Sequence, residues 1–319
     1  MREFIICADL GGTKTRGALF ELGTKVPNKK CIFLTPRHET GSLVLENLSS
    51  VIKEVWPITG NVKAIVIGAP GPLDVNRGVV IDAPLFQDLH DAPVLDFVEK
   101  KFKIPTFVQN DANLAALGEF AYGAGIGSKV LIYMTISTGV GGGIVINDEL
   151  FLGSEGFGGE LGHICAYPDG FLCGCGHHGC LEAHASGSAL ESEAYRIVHQ
   201  GIATSLLQSF TEKGVIRVED IASAALQGDD VSKELINKAA KTIGIVLSSL
   251  VNIFNPDCIV LGGGVSNVGP MLIDVIKQEI ANRAMYPMCQ QVKVVGWKLG
   301  DDAGLYGAYY YAKKVIDRW

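Results

Sequence analysis

Short apolar runs ending in glycine-rich turns alternate with longer amphipathic stretches along the first half of the chain. Residues 4–8 form one such run. It ends in Asp9-Leu10-Gly11-Gly12-Thr13-Lys14-Thr15, and a second run, Gly17 to Leu22, follows at once. Strand, glycine turn and returning strand predict a hairpin. Leu45, Leu48, Ile52 and Val55 step by three or four, which predicts a helix over 45–56. Val62 to Gly68 reads as a buried strand closed by the turn Ala69-Pro70-Gly71-Pro72. Val94, Leu95, Val98 and Phe102 mark a second amphipathic helix over 94–102. Pro105 to Val108 is a strand that delivers Gln109-Asn110-Asp111-Ala112-Asn113 into a helix ending near Phe120.

The pattern then repeats. Val130 to Ile136 predicts a strand, 137–143 a glycine turn, and Ile144 to Ile146 the returning strand. Two such hairpins, each opening an α/β segment, suggest a duplicated fold. Leu235, Ala239, Ile243, Leu247, Leu250 and Phe254 form the stripe of a long helix, stopped by Asn255-Pro256-Asp257. That stripe suits a core or lobe interface better than a subunit contact. Cys258 to Leu261 is a strand running into Gly262-Gly263-Gly264, and 303 to about 316 closes the chain as a helix. Gly123, Gly125 and Gly127 punctuate the middle, so a lobe boundary is expected near residue 120.

Composition narrows the classes. With 319 residues, 48% hydrophobic, the chain can bury a large core. The formal charge is −7 with no long basic run, which argues against a nucleic-acid partner. An anionic substrate would then be held by local devices, not by the net field. The first residues are not expected to form a signal peptide, and no run approaches the ~18 apolar residues of a membrane span, so a cytoplasmic location is expected. Cys7, Cys31, Cys258 and Cys289 are scattered, whereas Cys165, Cys173, Cys175 and Cys180 crowd together. Without export signals, crowding favours metal over disulfides.

Three glycine turns follow apolar strands, at 9–15, 137–143 and 262–264. Glycine lets backbone N–H groups approach a phosphate closely. None matches the P-loop, and the first leads into a strand and not the helix of a dinucleotide fold. The hairpin context is that of the actin/hexokinase class. Asp9 is either a carboxylate near a Mg²⁺–phosphate group or a residue bonding its own turn. Asn110-Asp111 suits a helix N-cap, and equally a general base that deprotonates a substrate hydroxyl.

The stretch 156–182 carries the most specific chemistry. Cys173, Cys175 and Cys180 lie in a glycine-rich knuckle, with His163 ten residues before the first. This is a Cys₃His set for a closed, structural Zn²⁺ site, with His177, His178 and Cys165 as rival ligands. Glu160 and Glu182 flank the knuckle as ordinary surface acids or as acceptors for sugar hydroxyls.

These residues resemble the ROK family of repressors and kinases over nearly the whole chain. The resemblance rests on Asp9-Leu10-Gly11-Gly12-Thr13-Lys14, Gly68-Ala69-Pro70-Gly71-Pro72, Asn110-Asp111-Ala112-Asn113, Thr138-Gly139-Val140-Gly141-Gly142, Gly159-Glu160-Leu161-Gly162-His163 and the Cys173–Glu182 knuckle. It implies an actin/hexokinase-like (ribonuclease H-like) duplicated α/β fold with an interlobe cleft. Residues 1–120 would form the small lobe, with a helix at 303–319 packing back on it, and 121–302 the large lobe. It further implies Asp111 as catalytic base and Gly71, Asn110, Asp111, Glu160, His163 and Glu182 as sugar-binding residues. Asp9, Gly11, Gly12, Thr13, Lys14, Thr138, Gly139, Gly263 and Gly264 would serve ATP with Mg²⁺. His163, Cys173, Cys175 and Cys180 would hold zinc, His163 using its two ring nitrogens for two tasks.

The family's repressors carry a helix-turn-helix domain before the kinase-like part. The first strand begins by Phe4, which is expected to leave no room for one. The expectation is a hexose 6-kinase acting on glucose, with N-acetylglucosamine, N-acetylmannosamine, fructose and allose as alternatives and a non-catalytic sugar sensor as a second class. The resemblance also suggests a homodimer or homotetramer.

Overall fold

A computed structural model of the protein describes residues 2–83, 86 and 89–316. The strands are β1 (Glu3–Leu10), β2 (Lys14–Glu21), β3 (Lys29–Leu34), β4 (Asn61–Ala69), β5 (Leu73–Asp74), β6 (Val79–Asp82), β7 (His90–Pro93), β8 (Thr106–Asn110), β9 (Val130–Ile136), β10 (Val140–Ile146), β11 (Glu149–Leu150), β12 (Cys258–Gly262) and β13 (Lys293–Gly296). The helices are α1 (Gly41–Glu54), α2 (Val94–Phe102), α3 (Asp111–Tyr122), α4 (Leu181–Ala185), α5 (Gly187–His199), α6 (Leu206–Lys213), α7 (Val218–Leu226), α8 (Asp230–Phe254), α9 (Pro270–Arg283), α10 (Met288–Gln291) and α11 (Ala303–Ile316).

Two compact units divide the chain: Met1–Ile126 with Gly143–Gly159 and Asp301–Trp319, and Gly127–Gly142 with Glu160–Gly300. The first is built on a sheet of order β3-β2-β1-β4-β8. β1 pairs antiparallel with β2 and parallel with β4, so the predicted hairpin is present. Ile5, Ile6, Cys7 and Ala8 are all buried, because α1 and α11 both pack on β1. A strand covered on both faces reads as a continuous apolar run without alternation. α11 also packs on α3 and β4. Residues 317–319 of the predicted closing helix lie outside the described residues.

The second sheet has the order β11-β10-β9-β12-β13, with β12 parallel to both β9 and β13. α8 buries Leu235, Ala239, Ile243, Leu247 and Leu250, and packs on α9, α7, α4 and α5. Asn255, left-handed at φ 44°, ends it. Among the described residues no helix is long and apolar enough to cross a membrane.

The expected glycine turn 137–143 is shorter than its glycines suggest. Gly141, Gly142 and Gly143 lie inside β10, and only 137–139 turn. Packing is the reason. A Cβ on Gly142 would stand 2.3 Å from the Leu161 side chain, and one on Gly143 2.8 Å from Ala116 Cβ. β3, the three-stranded sheet β5-β6-β7 and the helices between 187 and 226 have no counterpart in the sequence reading. β5 is only two residues long and β6 and β7 four each, too short for an alternating pattern to register.

Candidate active site

In the first unit, Asp9 lies on β1 before the turn at Gly11–Thr13, and Lys14 opens β2. Thr35 braces the turn from beyond β3. Its hydroxyl donates to Gly11 O at 2.8 Å, its N–H donates to Thr13 O at 3.0 Å, and its Oγ1 lies 2.9 Å from Thr15 Oγ1. The Asp9 carboxylate sits 3.8 Å from Arg16 Nη1, and Arg16 Nη2 donates to Asp301 Oδ2 at 2.6 Å. Burial raises the Asp9 carboxyl from 3.8 to about 6, while Arg16 works against that rise and Asp301 adds to it. Thr35, Arg16 and Asp301 were not foreseen. Arg16 and Asp301 are 285 positions apart, and no local pattern announces such a pair.

Asn110 ends β8 and caps α3. Its Oδ1 accepts from Ala112 N at 3.0 Å and Asn113 N at 3.1 Å, and Asp111 Oδ1 accepts from Ala112 N at 2.7 Å. The capping role is therefore real, and it fixes the start of the helix that carries Asp111. Beneath them lie the buried side chains of Gln109 and Asn113, with Asn113 Nδ2 donating to Gln109 Oε1 at 3.4 Å. Among the described residues, Gln109 Nε2 and Asn113 Oδ1 have no hydrogen-bond partner. Gly71 lies between β4 and β5, partly buried.

In the second unit, Thr138 and Gly139 form the turn between β9 and β10. Gly263 follows β12 at φ 83°, and a Cβ there would lie 2.3 Å from Ile136 O, so glycine is required on both grounds. Gly264 opens a 3₁₀ turn over Gly264–Val268.

Glu160 precedes and His163 ends a 3₁₀ turn at Leu161–His163, and Glu182 lies in the first turn of α4. The three are electrostatic neighbours. Desolvation lifts the Glu160 carboxyl above its usual range, His163 lowers it, and Glu182 adds to the rise. Glu160 still reaches solvent by surface area, so the rise reflects partial enclosure by its neighbours, not full burial. Glu182 Oε2 accepts from Val140 N at 2.8 Å.

His163, Cys173, Cys175 and Cys180 present four ligand atoms, all within 4.8 Å of one another. Cys173 Sγ is 3.7 Å from His163 Nδ1, and Cys175 Sγ is 3.6 Å from Cys180 Sγ. The edges of a tetrahedron around Zn²⁺ with bonds of ~2.0–2.3 Å are about 3.3–3.8 Å, so the donor set fits zinc. Of the rivals, His178 Nδ1 lies 3.0 Å from Gly170 O. His177 Nδ1 comes within 3.7 Å of Cys175 Sγ but is not one of the four atoms that all lie within 4.8 Å of one another. Cys165 bridges to Cys180 through backbone only and is outside the four-atom group.

A sequence model of the ROK family matches residues 5–315. The glucokinase of Halalkalibacterium halodurans is 34% identical over 319 residues, spanning 98% of this chain and 96% of its own. The xylose repressor of Caldicellulosiruptor bescii is 32% identical over 265 residues, spanning 83% of this chain and 66% of its own. Among solved structures, a ROK family glucokinase from Streptomyces griseus in complex with glucose and AMPPNP is 33% identical, with a TM-score of 0.83 over 98% of this chain and 99% of that one. The fold is of the actin/hexokinase-like α/β class, and the chain belongs to the ROK family.

Proposed function

We propose that this protein is a cytoplasmic kinase that transfers the γ-phosphoryl group of ATP to the 6-hydroxyl of a hexose, with glucose preferred. The observation that carries the reading is the gathering of Glu160, His163 and Glu182 around a four-ligand metal set, in a chain that matches a glucokinase end to end. Carboxylates and an imidazole on a rigid knuckle suit the vicinal hydroxyls of a sugar. In this reading Asp111 accepts the proton of the attacking hydroxyl. Asn110, Glu160, His163 and Glu182 hold the sugar, with Gly71 beside it. The turns at Gly11–Thr13 and Thr138–Gly139, with Lys14, present donors to the phosphates, and Gly263 and Gly264 attend the nucleoside. Mg²⁺, attended by Asp9, would offset charge on the phosphates. Zinc on His163 Nδ1, Cys173, Cys175 and Cys180 would be a scaffold that leaves His163 Nε2 for the sugar. The enzyme would work as a homodimer or homotetramer.

A sugar-sensing, non-catalytic role is the second reading, favoured by the likeness to the xylose repressor. A coupled ADP-release assay across glucose, N-acetylglucosamine, N-acetylmannosamine, fructose, allose and xylose separates the two. Sugar-dependent ADP release, highest in kcat/KM for glucose, is expected. Sugar binding without ADP release for any of them supports the sensor instead.

A further inference from the structure

The turn at 137–139 is held by backbone bonds from the start of α5 and by a side chain. Gly187 N donates to Ser137 O at 2.7 Å and Ser188 N to Thr138 O at 3.3 Å, both from the start of α5. Ser137 N closes the turn on Gly139 O at 2.8 Å. The side-chain support comes from Glu182. Its Oε2 accepts the Val140 N–H at 2.8 Å, and its Oε1 lies 3.9 Å from Cys173 Sγ. A Cβ on Gly139 would stand 2.5 Å from that same Oε2. The carboxylate and the turn therefore fit each other only because residue 139 has no side chain.

We infer that Glu182 is a positioning residue for the phosphate-side turn Thr138–Gly139 as well as a sugar ligand, so that one carboxylate couples the two substrates. The inference rests on the function proposed above. One oxygen is committed to the turn and the other faces the knuckle. The position at which Glu182 meets a sugar hydroxyl is then set by where the turn sits. By linkage, a sugar that fixes Glu182 also fixes the turn. A shift of the turn must in the same way shift the sugar's affinity, with no nucleotide present.

The test uses the full chain with its zinc content measured. Calorimetric glucose binding is recorded without nucleotide for the wild type and for Gly139→Ala. The expected result is about a tenfold or greater loss of glucose affinity in Gly139→Ala, with metal content and melting temperature unchanged. Wild-type glucose affinity in Gly139→Ala overturns the inference while leaving the kinase reading intact. A wild type that binds none of the sugars named above removes both. Should Gly139→Ala misfold, hydrogen exchange decides. In Glu182→Ala the Val140 amide should exchange at least about tenfold faster than in the wild type, while β1 and β2 keep their rates. Unchanged protection at Val140 overturns the inference.

Discussion

The two glycine turns share a local plan and differ in what holds them. The turn at Gly11–Thr13 is braced by Thr35, and the Asp9 beside it by Arg16, which is itself paired with Asp301. None of these is among Glu160, His163 and Glu182. The turn at 137–139 is braced by Glu182, which also neighbours Glu160 and the knuckle. A strand–glycine–strand device thus fixes the shape of a turn that we propose faces phosphate. In the inference drawn above, its support decides whether that turn stands alone or answers to another ligand.

The sharpest way to break the comparison is to remove the metal set. Cys180→Ser leaves three ligands, and metal analysis should show the loss of zinc from about one per chain. Glucose affinity and turnover should fall about 10- to 100-fold, because the metal set includes His163 and holds the knuckle that ends at Glu182. Full zinc content and unchanged glucose binding would contradict the scaffold role. The first turn is probed more gently by pH. A carboxyl raised from 3.8 to about 6 holds its proton in the folded state over that interval. Folding stability should therefore fall as pH rises from about 4 to about 6, and stay level above. The proposed phosphate-side role needs the ionised form, so kcat/KM for ATP should drop about tenfold per unit below pH ~6. Asp9→Asn should lose that limb of the profile while keeping glucose affinity. A profile unaltered by the substitution would assign the limb to another group.

The fold's main elements were legible where the pattern is local and long. The helix at 94–102, the strand at 130–136 and the closing helix from 303 appear with the expected bounds among the described residues. Gly141, Gly142 and Gly143 misled. The small size of Gly142 and Gly143 answers to Leu161 and Ala116, neighbours that no turn pattern encodes. The gathering of His163, Cys173, Cys175 and Cys180 was legible because structural zinc sites draw mostly on Cys and His at short spacings in the chain. The braces were not. Thr35 reaches back 24 positions to Gly11, and Glu182 reaches back 42 to Val140. At Asn110 the sequence offered a cap or a site, and the capping bonds are present without deciding the chemistry of Asp111.

The central claim, phosphoryl transfer to a sugar hydroxyl with Asp111 as base, is tested most directly by Asp111→Asn. Single-turnover phosphate transfer to glucose should fall about 10³-fold. Glucose affinity should stay within about threefold and zinc content should be unchanged, since Asn keeps the shape and the oxygen that meets Ala112 N. Turnover near that of the wild type would contradict the account.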